Sequence, residues 1–236
     1  VKTNALVQKI EFDGDRATAV VVNIKGIEHH IKCTAEIVLS AGAINSPQTL
    51  MLSGIGDKDE LAKHGIDCVK HIPGVGKNLQ DHLQIRTIYK VNKPITLNDE
   101  VNNPLRKIGM GIEYALFRTG PLTMAASQVC IFTKTDKNMQ RPDIQYHLQP
   151  LSADKPADGT QRFSACTASV CQLRPTSVGC IELKSSNPAD YPAIHPNYLA
   201  TKEDQHTAIE SIKITRNIMR SPALKPLIAS EHEPGV

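Results

Sequence analysis

The side chains best suited to chemistry are few and scattered. His82 closes the run Asn78-Leu79-Gln80-Asp81-His82, after a glycine-containing loop and next to a carboxylate in sequence. An imidazole in that setting can act as a general base beside Asp81 or serve as a hydrogen-bonded structural histidine, and both readings stand. His147 alternates with Tyr146 and Leu148 on a strand-like run and admits the same two readings. His29-His30, His64 and His71 lack metal-ligand spacing and no HExxH occurs, so no metal is expected. There is no GxSxG either, and Ser53-Gly54 falls at a helix end, which leaves no nucleophile elbow. Arg174 and Arg216 read as structural partners. Cys33, Cys68, Cys130, Cys166, Cys171 and Cys180 form no CxxC pair and read as buried, reduced thiols.

A phosphate-cradling loop needs closely spaced glycines between a strand and a helix, so that backbone N–H groups reach a pyrophosphate. No GxGxxG is present; Gly74-Val75-Gly76 and Gly54-Ile55-Gly56 read as turns. More suggestive is Ile37-Val38-Leu39, a wholly apolar run that reads as a strand buried on both faces. It leads into Ala41-Gly42-Ala43, where small residues let a ligand lie close to the backbone.

The elements that must position these groups follow from periodicity and punctuation. Three strands, Ala5 to Phe12, Ala17 to Ile24 and Ile27 to Cys33, form a meander turned at Asp13-Gly14 and Lys25-Gly26. A helix is expected with Ser46 as its cap and Pro47 at its first position, stopped by Gly54. A short helix spans Asp57 to His64, and a strand is expected over Ile66 to Ile72. Leu83 to Val91 is another strand. Asn103-Pro104 opens a helix with Leu105, Ile108, Ile112 and Leu116 on one apolar stripe. Further strands cover Val129–Thr133, Ile144–Leu148, Phe163–Leu173 and Cys180–Leu183, with a mobile loop expected over Ser152 to Thr160. A last amphipathic helix starts at Thr201 and turns Ala208, Ile212, Thr215 and Met219 inward.

Composition bounds the function classes. The 236 residues are 40% apolar, 22% charged and 4% aromatic, which excludes a disordered tail, a fibre and a disulfide-dense mini-protein. The 27 Lys and Arg against 24 Asp and Glu form no basic stripe, so nucleic acid is not an expected partner. No apolar run approaches the ~20 residues of a membrane span. The architecture changes near His82, from meander plus buried strand to longer strands that suit an antiparallel sheet covered by helices.

The motifs together resemble the glucose–methanol–choline (GMC) family of FAD-dependent oxidoreductases. Gly42-Ala43-Ile44-Asn45-Ser46-Pro47-Gln48-Thr49-Leu50-Met51-Leu52-Ser53-Gly54-Ile55-Gly56 is similar to the second family signature, with Thr49 where an aliphatic residue is usual. Pro73-Gly74-Val75-Gly76-Lys77-Asn78-Leu79-Gln80-Asp81-His82 resembles the next landmark, and Gly120 to Thr123, Pro142 to His147, Arg174 to Ser177, Leu183 to Pro188 and Pro196 to Leu199 look like later blocks. Val178 and Asn187 depart from the residues common there.

The resemblance implies a two-domain α/β and α+β fold: a truncated Rossmann-like FAD-binding domain over residues 1–82, and a substrate domain over 83–230 with an antiparallel sheet and flanking helices. Residues 231–236 would start the return to the FAD domain. It implies FAD as cofactor, with Val7, Ala41, Gly42, Asn78 and His82 on the cofactor side. Gln128 and His147 would line the substrate pocket, Gln128 standing where choline-using relatives carry a glutamate; the alternative is that Gln128 only satisfies a strand-end backbone group. The chain is expected to be an internal fragment of a longer enzyme, with the phosphate loop upstream of Val1 and the catalytic histidine downstream of Val236. The implied activity is hydride transfer from an alcohol, neutral and primary or choline-like, to FAD, with the electron acceptor (oxygen, quinone or another carrier) left open. The alternatives are an FAD-containing hydroxynitrile lyase or a non-catalytic fragment. The expected location is the cytoplasm or the periphery of a membrane, the parent's N-terminal address lying outside the chain.

Overall fold

A computed structural model describes residues 1–154 and 159–235. The chain forms two compact units, Val1–Asp81 with Ser177–Ala200, and His82–Thr176 with Thr201–Val236.

The first unit opens with the antiparallel meander β1 (Ala5–Asp13), β2 (Arg16–Ile24) and β3 (Ile27–Lys32). The second turn places both Lys25 and Gly26 at positive φ, 53° and 86°, the conformation whose twist matches a tight hairpin. Ile10 and Val22 are buried on one face of it, Ala19 and Val21 on the other. Helix α1 (Gly42–Leu52) packs on β1, where Ser53 Oγ accepts the Ile10 N–H at 2.8 Å. It begins five residues earlier than the Ser46 cap predicts. Ala41 is the N-cap, Pro47 sits inside the helix, and Ser46 Oγ instead accepts the Ala41 N–H at 3.1 Å. Gly42, at φ +80°, lets the chain swing into the helix ahead of Ser46.

The expected buried strand Ile37–Leu39 joins no sheet, and Val38 is 76% exposed. A strand buried on both faces needs hydrogen-bonded neighbours and covering layers, and this run has neither among the described residues. The strand expected over Ile66 to Ile72 shrinks to β5 (Lys70–His71), paired in parallel with β4 (Ile55–Gly56). Helix α2 (Lys58–Lys63) is capped by Asp57, which accepts from the N–H groups of Asp59 and Glu60. A second small sheet runs in the order β12 (Ala193–His195), β11 (Gly179–Glu182), β6 (Lys77–Leu79). Its Ile181 joins Met51 and Leu61 in the core of this unit.

The second unit is built on an antiparallel sheet ordered β13 (Ile228–Glu233), β7 (Gln84–Val91), β10 (Ala165–Gln172), β9 (Ile144–Gln149), β8 (Val129–Thr133). The period of two sorts its side chains. Tyr89, Ala168, Val170, Ile144 and Tyr146 turn to one face and pack against α5 (Lys202–Met219) through Ile214, Ile218 and Met219. Thr201 caps α5, accepting the Asp204 N–H at 3.2 Å. Helix α3 (Leu97–Asn102) has a capping box between Thr96 and Asp99, and α4 (Pro104–Phe117) is capped by Asn103 with Pro104 at its start. The expected stripe on α4 faces solvent: Leu105 is 80% exposed, and Ile108, Ile112 and Leu116 are exposed as well. Amphipathic spacing specifies a stripe, not a partner for it. Of the loop expected over Ser152 to Thr160, residues 155–158 lie outside the described residues.

Candidate functional site

In the first unit, Val7 stands on β1 with its side chain partly exposed, opposite Val22. Ala41 and Gly42 form the exposed N-terminus of α1, which has no side-chain cap. No heavy atom lies within 4 Å of the point where a Cβ on Gly42 would stand, so its backbone is open to close approach. The Ala41 N–H is taken by Ser46 Oγ, so what this end of α1 offers a ligand is the open backbone at Gly42. Asn78, exposed on β6, holds φ +59°.

His82 opens the second unit. Its Nε2–H donates to the Leu173 carbonyl at 3.0 Å, which fixes the ring on the neighbouring chain. The Asp81 carboxylate is taken by the Tyr198 hydroxyl.

On the sheet face opposite α5, the β8–β9 register sets Cys130 across from His147 and Phe132 across from Gln145. The Gln145 amide nitrogen lies 3.2 Å from Cys130 Sγ and 2.9 Å from His147 Nε2. With that nitrogen donating, His147 accepts at Nε2. Cys130 and Phe132 remain exposed. Sequence reasoning singled out His147 but missed Cys130 and Gln145; positions 128, 130 and 132 against 145, 147 and 149 carry the period-two signal that would have found them.

Gln128 immediately precedes β8, its N–H donating to the Leu148 carbonyl at 3.0 Å. It lines a cavity of about 260 Å³ at the strand ends, enclosed mainly by Val129, Leu148, Cys166, Met219, Leu224 and Ile228. His147 does not line it, so the two expected pocket residues occupy neighbouring strands without sharing one cavity. Burial pushes the Cys166 thiol up from its ordinary pKa.

All six cysteines are free, but Cys68 and Cys130 are exposed and only Cys171 is fully buried, which corrects the expectation of uniformly buried thiols. Cysteine composition carries no information about which strand face or loop a thiol will occupy. Arg216 forms a two-pronged ion pair with Glu231 at 2.9 and 2.8 Å, and Arg174 donates to the Pro142 carbonyl at 2.6 Å. Among the described residues no group of His, Cys, Asp and Glu could hold a metal, and no helix is long and apolar enough to cross a membrane.

Two family models described as GMC oxidoreductase match this chain, over residues 1–84 and 175–236. The mitochondrial choline dehydrogenase of Homo sapiens is 40% identical over 234 residues, covering 99% of this chain and 39% of that protein. The oxygen-dependent choline dehydrogenase of Staphylococcus xylosus is 34% identical over 237 residues, covering 100% of this chain and 42% of its own length. The chain thus spans about two-fifths of the curated relatives it matches. Among solved structures, a formate oxidase superposes with a TM-score of 0.90 at 22% identity, over 98% of this chain and 45% of that one. Pyridoxine 4-oxidase from Mesorbium loti follows with a TM-score of 0.80 at 24% identity, over 98% and 42%. Those likenesses establish the fold; matched by family models at both ends, the chain belongs to the GMC oxidoreductase family.

Proposed function

We propose that the protein containing this chain is an FAD-dependent oxidoreductase acting on CH–OH donors, and that its substrate is a neutral primary alcohol in preference to choline. FAD, when bound, supplies the acceptor for the hydride that leaves the carbinol carbon. This chain's own residues bind and orient. The open backbone at Ala41–Gly42 and the side chain of Val7 would meet the cofactor, with Asn78 assigned to its flavin end. His82 would hold the adjoining chain through Leu173 rather than move a proton. Residues 1–82 would serve the cofactor and 83–230 the substrate.

The observation that carries the substrate preference is the absence of a carboxylate among the polar groups at the β8–β9 edge. Gln128, Gln145, His147 and Cys130 carry hydrogen-bonding groups, and none of them is a carboxylate. A quaternary ammonium leaving water needs a counter-charge or an aromatic cage, whereas an alcohol hydroxyl needs only hydrogen bonds. Gln128 meets that lesser demand. The identity to choline dehydrogenases favours a small alcohol of some kind. The test is anaerobic bleaching of the flavin in the full-length protein by choline and by neutral primary alcohols. A kcat/KM for choline tenfold above that for every neutral alcohol overturns the preference.

A further inference from the structure

Helix α4 turns its apolar side outward. Its one buried residue is Met110. Ile108 and Ile112 each stand two residues from Met110, about 200° around the helix axis, so they point away from the unit that carries them. Leu105 and Leu116 extend this outward stripe by a turn at either end, and all four side chains are more than half exposed. The 3₁₀ turn Pro121–Thr123 follows, packed against α4, and exposes Leu122 as well. A contiguous apolar patch of this kind marks a surface that another body covers.

The arrangement matches itself under a twofold rotation. Ile108 and Ile112 lie on either side of residue 110, with Leu105 and Leu116 further out. A twofold axis near that point lays α4 antiparallel on α4 of a second copy, Ile108 over Ile112 and Leu105 over Leu116. Gly109 lies within the stripe, and an added Cβ there would meet nothing within 4 Å, so two backbones can approach closely at the crossing. Arg106 and Glu113 are two turns apart on one flank of the stripe, on opposite sides of the same centre. Like flanks meet in an antiparallel pair, which brings Arg106 of each copy to Glu113 of the other. Within one chain Arg106 uses Nη1 on Glu100 at 2.9 Å, and Glu113 uses Oε1 on the Thr119 hydroxyl at 3.0 Å, so each keeps a second atom for a partner. A lipid surface fits less well. Lys107 shares the side of Met110, and Arg118 is held over the Tyr114 ring at 4.9 Å on that side, whereas Glu113 stands at the stripe's margin, where a headgroup-binding helix places basic residues.

We propose that α4 is a self-complementary docking surface through which two copies of the protein associate, helix on antiparallel helix. The inference is independent of which alcohol the protein oxidises.

Sedimentation velocity of the full-length, flavin-loaded protein tests it, with thermal midpoints to confirm that each variant is folded. An interface of this size lies at the small end of specific ones, so a dimer is expected to form between about 1 and 100 μM. Ile112→Asp sets two carboxylates into the apolar contact and should weaken association by roughly a hundredfold. Arg106→Glu and Glu113→Arg, each alone, set like charges together and should weaken it by roughly tenfold. Mixing those two single variants should restore the dimer, because opposite charges then meet at both ends. A full-length protein that stays monomeric over that range, or a dimer indifferent to Ile112→Asp, overturns the proposal. A mixture that fails to recover the dimer overturns the antiparallel pairing. Sedimentation of a monomeric protein with phosphatidylserine vesicles, lost in Ile112→Asp, would give the stripe to a lipid surface and likewise overturn it. Should Ile112→Asp fail to fold, the charge variants and their mixture decide alone.

Discussion

Asn98 is fully buried at the start of α3 and pins two distant stretches of chain. Its amide nitrogen donates to the carbonyls of Gln161 and Phe163 and to Ser152 Oγ, each at 3.0 Å, and its Oδ1 accepts the Ser152 N–H at 2.9 Å. Asn98→Asp keeps the shape and the acceptor but turns the donor edge into a carboxylate oxygen facing three other oxygens. About two hydrogen bonds are lost, at ~1 kcal/mol each, and an unpaired buried charge is added. The expected loss of stability is about 3–5 kcal/mol at neutral pH. The new carboxyl would have its folded-state pKa raised above the unfolded value, so the penalty is full above the folded pKa. It fades as pH falls through that value, because the protonated acid can donate one bond again. Asn98→Leu removes donor and acceptor without charge and should show no such pH dependence. Urea unfolding followed by circular dichroism, at neutral and mildly acidic pH, reads both variants. A loss below about 1 kcal/mol for Asn98→Asp, or equal losses at the two pH values, would refute the reasoning.

Gly76, at φ +79°, sits where an added Cβ would collide with the Ile181 carbonyl, while its own carbonyl accepts the Ile181 N–H at 2.7 Å. Gly76→Ala should therefore cost about 2–4 kcal/mol, and a thermal midpoint unchanged from wild type would contradict that. The Tyr89 phenol is pushed up to about 12 by burial and by the nearby Glu231 carboxylate. With the folded pKa raised above the ordinary value of 10.0, its contribution is present below pH 10.0 and lost as pH rises toward about 12. Tyr89→Phe should flatten that part of the stability profile, as measured by alkaline denaturation. Gln128→Glu should raise the preference for choline over neutral alcohols by about tenfold, ~1.4 kcal/mol; kinetics showing no change would remove Gln128 from substrate recognition.

What the sequence alone determined was whatever depends on neighbours in the chain. The β1–β2–β3 meander was legible because its turns need residues that tolerate positive φ, and Gly14, Lys25 and Gly26 adopt it. The helix starts at Asp57 and Asn103 and the Thr201 cap were legible because a capping side chain reaches only the next two or three N–H groups. The family blocks were legible for the same reason: they are contiguous runs. Tertiary structure decided the rest. Ile37–Leu39 is apolar enough for an inner strand, but strand formation requires a partner that no local pattern can supply. The α4 stripe has helical spacing, yet burial depends on what lies opposite. Asn98 carried no signal in the sequence, since its partners are 54 to 65 positions away. Gln128 and His147 could be named individually from sequence. Only the register of β8 against β9, and the fold of Met219 to Ile228 over the strand ends, set one at an apolar cavity and the other beside Gln145. Local chemistry is written in neighbouring residues, but a cavity is made by segments that meet only after folding.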